Sequence, residues 1–144
     1  MGVIFMEKIM ISIDGTQNFG NGDTNNVELT TAGELNVSNE SYTLKYEESE
    51  LTGMEGTTTE ITVSNDGVVS LMRSGTVNSN LIFEEGKRHL SYYDTKDGAF
   101  SIGVFASYVD TVLEQNYGEI SITYAMDVDD KPIGENEIRV RFNR

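Results

Sequence analysis

The chain has 144 residues, enough for one domain with a real core. Its 24 acidic residues outweigh 10 basic ones, and the net charge of −14 opposes binding to nucleic-acid phosphates and to anionic membranes. It contains no cysteine, which excludes disulfides, zinc–thiolate sites, iron–sulfur clusters and cysteine nucleophiles, and no apolar run approaches a membrane span.

At the amino terminus, Val3–Met6 is too short for a signal-peptide core and Glu7 follows at once. Gly2 lacks a Ser or Thr at position 6, so the myristoylation pattern fails. A start at Met6 would make residues 1–5 an N-terminal extension. The default expectation is a cytoplasmic protein forming a single domain over residues 1–144. The first strand is expected at Glu7–Asp14, with Ile9, Ile11 and Ile13 on one face. Gly15–Asn26 is polar and glycine-rich and is read as a loop. It lacks the alternating ligands and terminal Glu of a twelve-residue calcium loop.

Further strands are expected at Val27–Val37, Tyr42–Glu48, Thr57–Ser64, Val68–Ser74, Val77–Phe83, Lys87–Tyr93, Ala99–Tyr108, Glu119–Val128 and Ile138–Phe142. Asn65-Asp66-Gly67, Glu85-Gly86 and Asp97-Gly98 are hairpin turns, and a longer joint spans Asp129–Gly134 around the lone proline. Thr111–Asn116 is expected to form one helical turn, because Val112 and Leu113 break the alternation. The pattern describes an all-β fold, a single antiparallel meander β-barrel of about 8–10 strands. Its expected inward set is Tyr42, Leu44, Tyr46, Leu71, Phe83, Tyr92, Phe100, Tyr108, Tyr124, Met126 and Phe142. Whether these fill the lumen or leave room for a ligand is open at this point.

No motif for catalysis emerges. His89, the sole histidine, is opposite in parity to Leu90 and Tyr92 and is read as pointing outward. The nucleophile-elbow pattern Gly-x-Ser-x-Gly is absent. Glu47 and Glu48 are adjacent on a strand, point to opposite faces and so cannot act as a carboxylate pair. Glu48 shares parity with Tyr42, Leu44 and Tyr46, and Arg73 with Val69 and Leu71. An inward guanidinium needs a partner, and Glu48 is one candidate. The pair is then either a structural ion pair at one end of the barrel or an anion-binding site. The acids Asp127, Asp129, Asp130, Glu135 and Glu137 read as a solvated hairpin.

Three segments occur in a familiar order: Tyr46-Glu47-Glu48, Met72-Arg73-Ser74-Gly75, and Gly118-Glu119-Ile120-Ser121-Ile122 leading to Tyr124. Over roughly Tyr42 to Phe142 the chain resembles the YwiB-like family of small bacterial β-barrels. The resemblance implies a calycin-like, or lipocalin-like, barrel and carries no established activity. Tyr46, Glu48, Arg73, Gly75 and Tyr124 match family-like positions and are expected to form a polar cluster in the interior or at the rim. The expected function is a non-enzymatic barrel that binds a small, partly apolar ligand through Tyr46, Glu48, Arg73 and Tyr124, with no cofactor or metal. The alternative is a packed-core protein whose acidic surface binds a basic protein.

Overall fold

The alternation of apolar and polar residues builds ten strands, each paired with the one before it. The structure, a computed structural model, describes residues 5–18 and 24–144. Its strands are β1 (Phe5–Asn18), β2 (Thr24–Val37), β3 (Ser41–Glu47), β4 (Thr57–Ser64), β5 (Val69–Gly75), β6 (Asn78–Phe83), β7 (Arg88–Thr95), β8 (Gly98–Leu113), β9 (Tyr117–Val128) and β10 (Lys131–Asn143). Chain neighbours pair antiparallel. β1 also pairs with β10, from Met10 opposite Asn143 to Asn18 opposite Glu135, and so closes the sheet into an antiparallel barrel. No helix among the described residues is long and apolar enough to cross a membrane.

Several local expectations are corrected. Gly15–Asn18 continues β1 and Thr24–Asn26 opens β2, paired from Gly15–Val27 to Asn18–Thr24, where a loop was expected. Residues 19–23 of that stretch lie outside the described residues, as do residues 1–4 of the proposed extension, while Phe5 already pairs with Val37. The joint after β9 is also short. Asp129 and Asp130 adopt positive φ (51° and 65°), as a two-residue hairpin turn requires, and β10 starts at Lys131. Pro132 lies beyond the described β1–β10 ladder, where a missing N–H is tolerated.

The helical turn expected at Thr111–Asn116 is strand as far as Leu113, and a β-bulge explains the broken alternation. Ala106 opposes Tyr124 and Tyr108 opposes Thr123, leaving Ser107 as the extra residue. Beyond it the inward positions become odd-numbered, with Val109 opposite buried Ile122, so Tyr108 faces outward. The β6–β7 turn occupies the bulge: Gly86 N–H donates to Ala106 O (2.8 Å) and Val109 N–H donates to Glu85 Oε1 (3.0 Å).

On β7 the two faces are reversed from expectation. His89 and Ser91 stand opposite the buried Val104 and Ile102, so they face inward with Tyr93. Leu90 and Tyr92 face solvent, 72% and 58% exposed. His89 is half-buried, with Nε2 3.0 Å from Glu84 Oε1. Phe100 keeps the parity of Ile102 but stands near the strand end and is also exposed. Tyr42, Leu44, Tyr46, Leu71, Phe83 and Phe142 are buried as expected, with Tyr124 and Met126 packed against them.

The end of the barrel that carries the β2–β3, β4–β5, β6–β7 and β8–β9 turns is filled by Ile11, Leu35, Ile61, Val69, Phe83, Ile120, Val140 and Phe142. The Phe142 ring fills the space above Gly118, its partner on β9, where a Cβ would overlap the ring. Tyr42 packs against Phe142 with ring centroids 6.0 Å apart, and its buried hydroxyl has no hydrogen-bond partner.

Gly118→Ala forces Phe142 from its position and is expected to cost about 1–3 kcal/mol, read as a lower urea midpoint with unchanged slope. Burial pushes the Tyr42 phenol up to about 12. Between 10.0 and about 12 the unfolded chain has lost this proton and the folded chain keeps it, so stability falls as pH rises through that window. Tyr42→Phe is expected to leave stability near neutral pH unchanged or raised, since no hydrogen bond is lost. It should also flatten the alkaline decline by at most about 1.4 kcal/mol per pH unit, measured by urea unfolding across the window.

Candidate functional site

At the opposite end the inner wall turns polar. Strand register carries the inward face from Tyr46 to Thr59, Arg73, Ser79 and Tyr93, each directly opposite the next. A band of hydroxyls and one guanidinium thus runs across five strands. The two-residue repeat of β3 continues past its end, where Glu48 N–H donates to Thr57 O (2.8 Å) and turns the Glu48 side chain inward. Glu47 faces out and accepts from Thr58 Oγ1 (2.9 Å).

Glu48 and Arg73 meet inside. Thr59 Oγ1 donates to Glu48 Oε2 at 2.6 Å, and Arg73 Nε lies 3.6 Å from the same oxygen. The Glu48 side chain is 1% exposed and that of Arg73 15%. At 3.6 Å the charges compensate one another, but the distance is too long for a hydrogen bond. Arg73 Nε is therefore a buried donor without an acceptor, and Asn136 Nδ2 is another. Burial is the main cause that raises the Tyr46 phenol well above its ordinary value. The Glu48 charge adds to this, while Arg73 and Thr59 oppose it. Burial likewise raises Tyr124, with Arg73 opposing and Tyr93 adding. Both phenols stay neutral at physiological pH and serve as hydrogen-bonding groups.

These residues line an open-mouthed cavity of about 240 Å³. Tyr46, Glu48, Arg73, Tyr124 and Asn136 supply its polar side; Ile13, Val27, Leu29 and Ile138 supply apolar surface. Thr52 and Met54 come from the β3–β4 connection. That connection contains a single 3-10 turn, Glu50–Thr52, started by Ser49 Oγ accepting from Leu51 N–H (3.2 Å) and ended by left-handed Gly53 (φ 74°).

The four residues singled out from sequence, Tyr46, Glu48, Arg73 and Tyr124, all stand on this one wall, and Glu48 is the partner of Arg73. Gly75 is elsewhere, at the end of β5, where its N–H donates to Asn78 Oδ1 (3.2 Å) across the turn to β6. Gly15, Gln17, Asn25 and Asn136 also line the cavity and were missed. The signal was present in their parity: Gly15 and Gln17 continue the inward series of Ile9, Ile11 and Ile13, but as small or polar residues they look like loop. His89 is not among the lining residues.

No curated protein matches the sequence. Among solved structures, the crystal structure of the ywiB protein from Bacillus subtilis has a TM-score of 0.84 to this one, covering 96% of this chain and 92% of that chain at 23% identity. That likeness establishes a shared fold. The domain of unknown function DUF1934 matches residues 11–140, a span that runs from β1 to β10 and includes the four residues above. By that match the chain belongs to the DUF1934 family of YwiB-like small bacterial barrels.

Proposed function

We propose that this barrel binds one small, partly apolar ligand in its polar mouth and performs no reaction on it. The observation that carries the reading is an open cavity lined by Arg73 and Asn136, whose Nε and Nδ2 are buried donors without a partner. A buried donor without an acceptor costs about 1–3 kcal/mol, and a ligand that supplies acceptors recovers that energy. Apolar surface from Ile13, Leu29 and Ile138 lines the same space and suits a hydrocarbon body. The cavity, at about 240 Å³, is smaller than the roughly 300 Å³ lower range of ligand pockets and has the volume of about eight water molecules. The ligand is correspondingly small.

Native mass spectrometry of gently purified protein tests this. The expected spectrum shows added mass that disappears on denaturation. The double variant Glu48→Gln, Arg73→Met removes both charges together, so neither is left buried alone, and it is expected to lose the added mass while keeping its circular dichroism. A folded double variant that retains the same adduct contradicts the site.

The second reading is a basic protein partner held on the acidic exterior. Arg88, Arg139, Arg141, Arg144 and Lys87 are each ion-paired with an acid of this chain, yet a net charge of −14 is left over. Binding of this kind weakens steeply with salt and with charge reversal at Glu34 and Glu60 on the outer wall. A partner captured equally well at high salt contradicts it.

A further inference from the structure

The Glu48–Arg73 pair also bears on the charge of the ligand, an inference that rests on reading the mouth as a ligand site. A guanidinium lining a cavity ordinarily suits a carboxylate or phosphate, whose oxygens match its fork of donors. Here that charge is already balanced. Glu48 Oε2 lies 3.6 Å from Arg73 Nε, is fixed by Thr59 Oγ1 at 2.6 Å, and belongs to a side chain that is almost wholly out of solvent.

An anionic ligand would therefore make a partly desolvated group of charges net negative, and burying a charge without a compensating partner is costly. The two donors nevertheless still lack acceptors. A neutral carbonyl oxygen satisfies both requirements. It accepts a hydrogen bond from either donor, charge-assisted at Arg73, and it brings no charge with it. We infer that the mouth selects an uncharged ligand with a carbonyl-type acceptor, of the amide class, beside a small apolar body, and that Glu48 is the residue that discriminates against anions. Arg73 supplies the donor, and Glu48 prevents it from acting as an anion receptor.

Two probe pairs, matched in shape and different in charge, test this: benzamide against benzoate, and hexanamide against hexanoate. Binding is followed by nuclear magnetic resonance of isotope-labelled protein, at the amide signals of Gly15 and Gln17 and the side-chain amide of Asn136. The amides are expected to bind the wild-type protein at least about tenfold more tightly than the acids. In Glu48→Gln, which keeps the size of the side chain and its acceptor for Thr59, the acids are expected to gain at least about tenfold relative to the amides. Acids that bind the wild-type protein as tightly as the amides overturn the charge selection and leave the ligand site standing. If no probe moves the cavity signals of the wild-type protein, the ligand site itself falls and the selection with it. Should Glu48→Gln lose its dispersed spectrum, the wild-type comparison alone decides.

Discussion

The ladder between β1 and β10 is the constraint on which everything else rests. Without it the ten strands form an open meander with two exposed edges; with it, every residue of one parity is committed to an enclosed lumen. Ten strands enclose more space than eight, for which side chains alone can just fill the interior. At one end Phe83, Phe142, Leu35 and Ile11 supply the bulk required. Toward the other, Gly15, Gln17, Asn25 and Asn136 line the cavity in place of such large apolar side chains. The cavity is a consequence of closure combined with this gradient in side-chain size.

Closure also decides what the polar residues do. On an open sheet Glu48 and Arg73 could turn to water. Inside the barrel they are held against each other, and Thr59 takes up one carboxylate oxygen. A pair of this kind is weak evidence for stability, because desolvation offsets much of the attraction. Its geometry is also incomplete, since the guanidinium approaches the carboxylate without a hydrogen bond and Nε remains unpartnered. A residue kept for packing alone would be better replaced by Leu or Met. The unpartnered donor is the feature on which the proposed ligand site rests.

The two-residue rhythm made the architecture legible: all ten strands and the inward placement of Tyr46, Glu48, Arg73 and Tyr124 follow from it. It failed where a physical effect other than burial set the pattern. At Ser107 an extra residue shifted the parity, and the broken alternation imitated a helical turn. On β7 the larger apolar side chains, Leu90 and Tyr92, lie outside, and the pairing of Ser91 with Ile102 assigns the faces. Around Gly15, Gln17, Asn25 and Asn136 the inner wall belongs to a cavity, so its residues carry no apolar signature; the first three read as loop and Asn136 falls short of the expected last strand. Parity therefore marks the charged and phenolic members of the site, while its small and amide members leave no such mark.

The proposed ligand in the barrel mouth is open to direct observation. The most direct measurement is a crystal structure of the protein, purified gently from its source, at a resolution that separates water from organic density. Continuous density in the cavity is expected, with an acceptor atom within hydrogen-bond distance of Arg73 Nε or Asn136 Nδ2. Side chains collapsed across the space, or separate water peaks satisfying both donors, would contradict it.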